Sequence, residues 1–584
     1  MTLQSRSRTS STVFFLLVAL IAVSLFAGLG MREPSPPDEP RFVLAAKDMV
    51  ATGQWMLPHR GSEFYAEKPA VFMWMQAAAY KIVGNWRVAF LLPSLLAALT
   101  TLWLTWDLTR RLWNRRVAGY AVLALFVCLQ FGLQAKRGQI DMVLVAMTTL
   151  SLWGFLRHLL LGPNRKLLWL GLFAAGLGTV TKGVGFLPLL IVLPWAAWRW
   201  RYGPRVERGS AVATARTWLL GVLCFIVGAG VWLFPMLLAV HAQHDPAAQA
   251  YAEEILLRQT GTRYANAWHH VQPAWYYLQV MVTLWLPGAL LLPWLLPAWW
   301  RRIRRGDPRF WLLLGWAVLV LAFFTASPGK REVYIFPALP ALCIAAAPLL
   351  QGLLRRRGVR WTLFSYLAAL ALLASAASLS AWSGVSHWAE HQAARRGIDE
   401  QTVQVVLAWM LAFGVAVFGL LFWLRVRRIG VALVLATACL WLVYGIGLAP
   451  ALDADSSASR LMQAVGRHIG PDAQLGMVAW REQNLLQSDR PALDFGFKKS
   501  WEQQWAAAGS WLEQDPARRW IFVLQQAVSP CADATQVVDI GQSNRNRWSL
   551  VPGTAWKAGC VTPPFSQDDG DEPSQALTVD GNGS

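Results

Sequence analysis

Charge is scarce in this sequence. Only 15% of its 584 residues are charged, against about a quarter in ordinary soluble proteins. That scarcity excludes a conventional soluble enzyme of this length. Cysteine is scarce too: there are six, with no metal-type spacing, which excludes a cysteine-built metal site. No internal repeat is visible. The basic residues form neither one face nor an aromatic-interleaved stripe, so the formal net charge of +20 does not describe a nucleic-acid partner.

What is abundant is apolar surface. Apolar residues make up 55% of the chain, with 34 tryptophans among them. Stretches of about 18 residues or more, long enough to cross a hydrocarbon core, recur over the first three quarters. Short basic clusters separate them: Arg110, Arg111, Arg115 and Arg116; Arg165 and Lys166; Arg199, Arg201 and Arg205; Arg301, Arg302, Arg304 and Arg305; Arg355 to Arg357; Arg425, Arg427 and Arg428. They follow every second crossing, as the positive-inside rule requires. With a cytoplasmic N-terminus the pattern predicts about 13 spans, near 11–30, 86–109, 117–133, 141–161, 167–181, 184–200, 217–240, 276–298, 309–326, 331–351, 361–383, 402–424 and 430–450. Arg6 and Arg8 before the first apolar run resemble a signal peptide. The run is nearly span-length and lacks a small-x-small site, so it is read as a retained helix.

The expected architecture is therefore a polytopic α-helical membrane domain over residues 1–450. Two outer loops, 31–85 and 241–275, are too long to be mere connectors. The first contains two amphipathic helical stretches, 40–52 and 69–83, of the kind that lie in the membrane interface. Beyond Pro450 the composition becomes that of a soluble protein. Helices near 456–468 and 500–514 and strands near 474–480, 520–524 and 536–540 predict a small extracytoplasmic α/β domain over 451–561. Residues 562–584 are acidic and rich in Pro, Gly and Ser, a disorder composition. Cys128, Cys224, Cys343 and Cys439 fall in predicted helices. Cys531 and Cys560 fall in the polar part, where an oxidising compartment permits pairing without the sequence requiring it.

Candidate chemistry gathers in the outer loops, and each signal has a bland reading beside it. Pro40 suits a first helical position, making Asp38 or Glu39 a helix cap; a carboxylate fixed at the membrane surface equally serves as a base toward an acceptor hydroxyl or phosphate. In Tyr65-Ala66-Glu67-Lys68-Pro69, Glu67 and Lys68 read as a solvated pair or as a phosphate clamp at a helix start. Asp141 at the outer end of the fourth span is either a partner for Lys136 or Arg137 or a functional acid. The His269-His270 pair reads first as interfacial packing and second as metal ligation. Lys330, in an outer turn, is a tolerated stray cation or faces an anion. All these residues fall on one side of the membrane by the span count, which suits a reaction between amphipathic substrates with phosphate headgroups.

The ordered series Pro37-Asp38-Glu39-Pro40-Arg41, Gly53-Gln54-Trp55-Met56-Leu57-Pro58-His59, Tyr65-Ala66-Glu67-Lys68-Pro69, Asp141-Met142, Thr181-Lys182-Gly183 and Lys330-x-x-x-Tyr334-x-x-Pro337-Ala338-Leu339-Pro340 resembles the aminoarabinose transferases of lipid A. These belong to the C-type (GT-C) glycosyltransferases, which also include protein O-mannosyltransferases. The resemblance covers residues 37 to 340. It implies an undecaprenyl-phosphate sugar donor, an acceptor that is lipid A or another envelope molecule, inversion at the anomeric carbon, and a periplasmic active site on a bacterial inner membrane. By position, Asp38 becomes the base or acceptor-orienting carboxylate and Asp141 a second essential acid. Lys68, Arg258 and Tyr334 would hold the donor phosphate, with Lys330 nearby. Glu39, Arg41, Tyr65, Glu67 and His270 would support them. No nucleotide is implied, and no phosphate-cradling glycine loop appears. The one cofactor to test for is a divalent metal ion. Two departures stand out: Glu254-Ile255 where the family often has Glu-His, and Ala70 where a second proline is usual. The alternatives are glycosylation of a protein in the manner of the protein O-mannosyltransferases, or a transporter or flippase of lipid-linked sugars, which predicts ionisable residues near the midplane and symmetry-related repeats.

Overall fold

The computed structural model describes residues 15–203, 209–257 and 271–565. The protein is a polytopic membrane protein. Seven of its described helices are long and apolar enough to cross a bilayer: Trp86–Leu112, Ile140–Leu160, Ala215–Gln243, Pro308–Ala326, Arg357–Trp382, Glu400–Leu424 and Val426–Ala451. Two bent pairs, Arg115–Phe126 with Leu129–Ala135 at 72° and Tyr276–Leu284 with Gly288–Arg304 at 102°, raise that number to nine. Phe15–Phe26 and Ala338–Leu353 are shorter apolar helices.

The difference from about 13 spans has local causes. The stretch expected at 331–351 begins with a turn, and its helix starts only after Pro337, at Ala338–Leu353. The stretch at 184–200 is broken into a 3-10 turn, Leu187–Ile191, and a helix of 11 residues, Val192–Tyr202. The stretch at 167–181 is the helix Arg165–Lys182, which carries charges at both ends. Apolar composition alone does not register these breaks.

Three helices fix the two ends of the bundle. Trp86–Leu112 and Ile140–Leu160 run from the candidate residues of the outer loops to Arg110, Arg111 and Arg157. Pro308–Ala326 runs back from Arg309 toward Lys330. Twenty-one helical residues, as in Ile140–Leu160, span about 30 Å. The basic clusters and the candidate chemistry therefore lie at opposite ends.

The first long loop folds on the bundle. Its helix Glu39–Thr52 starts with Pro40 in the first turn and ends at Gly53, whose φ of 76° closes the cap; only glycine takes that conformation without strain. A short hairpin follows, β1 (His59–Arg60) antiparallel to β2 (Glu63–Phe64), and then the helix Val71–Val83. Phe42 and Phe72 meet edge to face at 5.3 Å and join the two helices.

Residues 474–552 build a five-stranded sheet from β3 (Gln474–Val478), β4 (Ala492–Asp494), β5 (Arg519–Leu524), β6 (Val538–Ser543) and β7 (Asn546–Pro552), in the order β4-β3-β5-β7-β6. β3 is parallel to β4 and β5, and β7 is antiparallel to β5 and β6. Trp505, Leu512, Ile521, Phe522 and Trp548 fill its own core, separate from that of the membrane helices. Cys531 and Cys560 are disulfide-bonded.

Candidate active site

Asp38 occupies the cap position of the helix Glu39–Thr52, yet its side chain makes no capping bond. Its Oδ2 instead accepts from Gln139 Nε2 at 3.0 Å and from Arg331 Nη2 at 3.2 Å. The bland reading as a helix cap is thereby set aside. Burial alone would push this carboxyl up, but Arg331, Arg41 and Lys182 outweigh it and hold it at about 2, against an ordinary 3.8. Opposite charges within a few ångströms of a buried carboxylate act in that direction.

Glu39 points the other way and is a structural clamp. Arg32 reaches it with two bonds, at 2.5 and 2.7 Å, and the backbone N–H groups of Ser35 and Gly138 donate to it at 2.9 and 2.7 Å. Arg32 also donates to the Lys136 carbonyl at 3.0 Å. This knot ties the end of the first helix to the start of Glu39–Thr52 and to the turn that carries Gln139. It thereby sets where Asp38 stands.

Asp141, in the first turn of Ile140–Leu160, is paired with Lys182. Lys182 is the last residue of its helix because Gly183 follows with φ of 78°. Its ammonium also lies 5.4 Å from the ring centroid of Tyr334, an attractive cation–ring geometry. Burial lowers the Arg331 guanidinium, but Asp38, Glu332, Asp141 and Tyr334 act on it and raise it overall. Asp38, Arg331, Asp141, Lys182 and Tyr334 thus form one electrostatic neighbourhood.

A second layer surrounds Glu67. Arg41 Nη1 donates to it at 3.2 Å and Arg60 Nη1 at 2.9 Å. Burial would raise the Glu67 carboxyl, yet Arg60, Arg41 and Lys68 bring it below its ordinary value. Lys68 Nζ donates to the Glu67 carbonyl at 3.0 Å. Tyr65 is buried beneath Arg60, and burial together with Glu67 keeps its phenol protonated well above the ordinary range. Glu482 enters this layer from the sheet unit, 3.2 Å from Arg60 and 3.8 Å from Arg41. Across the two layers Arg41, Arg60, Lys68, Lys182 and Arg331 face Asp38, Glu67, Asp141 and Glu482. With Glu332, which also acts on Arg331, five cations meet five carboxylates, so the neighbourhood is close to charge-balanced.

The remaining expected residues are placed differently. Lys330 is buried, and its ammonium donates to the carbonyls of Gln272 and Pro328 at 3.0 and 3.4 Å. It fastens its turn to the second loop. Arg258 and His270 lie outside the described residues. Among the described residues, no three His, Cys, Asp or Glu side chains converge as metal ligands, and the acids of the site already face cations.

Arg32, Arg60, Gln139, Arg331 and Glu482 were not assigned roles from sequence. Arg32, Arg60 and Arg331 carried a signal nonetheless: each is a cation on the outer side, against the positive-inside trend. Glu482 carried none, since its partner Arg60 is 422 residues away in the chain.

A family described as dolichyl-phosphate-mannose-protein mannosyltransferase matches residues 67–234. An undecaprenyl phosphate-alpha-4-amino-4-deoxy-L-arabinose arabinosyl transferase from Edwardsiella ictaluri is 30% identical over 460 residues, covering 73% of this chain and 76% of its own. Arabinosyl transferase 2 of the same description, from Pseudomonas fluorescens, is 32% identical over 351 residues, so this chain spans only 56% of that relative's length. Among solved structures, ArnT from Cupriavidus metallidurans bound to undecaprenyl phosphate has a TM-score of 0.72 at 20% identity, covering 95% of this chain and 99% of that one. That likeness concerns the fold.

Proposed function

Because the chain belongs to the family of undecaprenyl phosphate–aminoarabinose arabinosyl transferases, we propose that it transfers 4-amino-4-deoxy-L-arabinose from an undecaprenyl-phosphate carrier to lipid A or another envelope acceptor, at the periplasmic face of a bacterial inner membrane. The observation that carries the reading is the pairing of Asp38 with Arg331 and Gln139 beside Asp141 and Lys182. Carboxylates and cations held this close, at one end of a helical bundle, suit a transfer in which charge separates. The bond between the anomeric carbon and the donor phosphate oxygen breaks, and the electron pair leaves with the phosphate. Positive charge builds on the sugar. An acceptor oxygen then bonds to the opposite face, inverting the anomeric carbon.

Fixed cations stabilise the departing phosphate, and fixed carboxylates stabilise the sugar cation. Lys68, Tyr334 and Arg258 would receive the phosphate. Asp38 and Asp141 would face the sugar and acceptor. A carboxyl held at about 2 is a weak proton acceptor at neutral pH, since base strength follows pKa. That favours an acceptor already ionised, such as a phosphate group, oriented through the Arg331 guanidinium that Asp38 holds rather than deprotonated by Asp38. A divalent metal ion has no assembled ligand set among the described residues, so no step is routed through one.

Two further observations support the placement. The basic clusters lie at the end of the bundle away from the site, as they would on a cytoplasmic face. The Cys531–Cys560 disulfide suits an oxidising periplasm.

The test is a comparison of lipid A mass spectra from cells expressing the intact protein and Asp38→Asn at matched levels. A sugar-sized increment with the intact protein only is expected. An increment unaffected by Asp38→Asn would remove Asp38 from the mechanism. No increment in either would move the acceptor to glycoproteins or other envelope glycans.

A further inference from the structure

One cavity of the molecule lies well away from the site described above. It has a volume of about 670 Å³ and lies where Leu112, Leu160 and Leu161 meet the turn from Arg302 to Arg309. Leu112 and Leu160 end the two helices that begin near the candidate active site, so the cavity is about 30 Å away, at the opposite membrane face. Its size is that of a small-molecule site.

The lining is half apolar and half charged. Arg302, Arg305 and Arg309 contribute three guanidinium groups, and Asp307 is the single acid among the lining residues. Both Asp307 oxygens already accept from Arg309, at 3.0 and 2.8 Å, and Arg309 also caps the Leu112 carbonyl at 3.1 Å. Arg302 gives one N–H to the Ala298 carbonyl, and the Arg305 side chain is exposed. With three arginines and one aspartate in its lining, the cavity carries a net excess of two positive charges. The helix Pro308–Ala326 begins at the same place, adding the partial positive charge of its N-terminus.

Trp299 and Trp300 precede the arginines on the same helix, where aromatic side chains mark the headgroup level. Two unbalanced cations, apolar walls and a position at the membrane surface select a ligand with phosphate at one end and hydrocarbon at the other.

We propose that this cavity binds the headgroup of an anionic bilayer phospholipid, a diphosphate lipid of the cardiolipin type fitting its charge best. Basic pockets between membrane helices on the cytoplasmic side are suited to such headgroups. The proposal rests on the membrane placement of the chain and not on the sugar-transfer reading, so either can fail alone.

The experiment is native mass spectrometry of the full-length protein in detergent, titrated with cardiolipin or phosphatidylcholine. Cardiolipin adducts should persist at about tenfold lower lipid concentration than phosphatidylcholine adducts, and Arg302→Gln with Arg305→Gln should remove most of that preference. The double variant Arg427→Gln with Arg428→Gln, at a different basic turn, should leave it intact. Equal loss in both double variants would reduce the effect to general surface charge and overturn the site. So would retention of the preference without Arg302 and Arg305. Displacement of the lipid by millimolar inorganic phosphate alone would overturn the lipid assignment in favour of a soluble anion. Leu160→Trp, which fills the cavity without touching charge, is the second variant should the arginine pair fail to fold. It too should cost the cardiolipin preference, and full retention there would overturn the proposal.

Discussion

At the scale of single residues, Asp38 shows how position and chemistry separate. Its sequence context fits a helix cap, and it does stand at the cap position, but its carboxylate is turned to Gln139 and Arg331. Periodicity indicates where a helix begins; it does not say what a side chain at that boundary bonds to. The acid-side chemistry follows from Arg331. Asp38's folded value of about 2 lies below its ordinary 3.8, so its stabilising contribution is complete above about pH 4 and is lost as the pH falls through 2. Transfer by the intact protein should therefore show no acid limb from Asp38 between pH 5 and 8. In Arg331→Gln burial remains while the principal cation is gone, so the Asp38 carboxyl moves up. An acid limb should rise toward the assay range in the pH profile of initial rates, and identical profiles for the two proteins would show that Arg331 does not set the charge of Asp38.

At the scale of elements, the helices of the first loop were legible because proline at the start and glycine at the end frame them. The expected 40–52 is found as Glu39–Thr52, and 69–83 as Val71–Val83. The hairpin at His59–Phe64 was not legible, since two-residue strands leave no alternation to detect. Bent pairs were equally silent, because a break of a few residues does not change the apolarity of the window around it. The segment that follows the first helix is anchored by the Arg32–Glu39 pair, with side chains only 7% and 4% exposed. Replacing one partner of a buried pair leaves the other charge stranded and destabilises by about 3–5 kcal/mol. Glu39→Gln should accordingly lower the thermal midpoint of the purified protein by several degrees and reduce transfer, since Gly138 and Gln139 lose their anchor. An unchanged midpoint would demote the clamp to a surface contact.

At the scale of the whole molecule, the two cores meet through polar contacts between distant parts of the chain, which no local pattern announces. The Asp453 carboxylate accepts from the Glu33 backbone at 2.7 Å, Asp494 from Ser62 at 2.7 and 2.9 Å, and Lys498 meets Glu254 at 2.8 Å. Among these contacts Glu482 is different, because it reaches the arginines of the candidate site. Arg60 lies 3.2 Å from it and Arg41 3.8 Å, while Phe497 of the same unit lies under the Arg60 guanidinium at 3.7 Å. Arg41 in turn is 4.0 Å from Asp38, so a carboxylate from the sheet unit helps set the cation beside Asp38. Charged hydrogen bonds of this kind contribute about 1.5–3 kcal/mol, which corresponds to roughly 10–100-fold in rate if it is felt only in the transition state. Glu482→Gln should lower kcat/KM by about that factor, and Glu482→Asp should restore part of it. Asp494→Asn, which loosens the same interface away from the arginines, should leave the rate near the intact value. If Asp494→Asn were as damaging as Glu482→Gln, the sheet unit would act by holding the loop in place, and Glu482 would have no positioning role of its own.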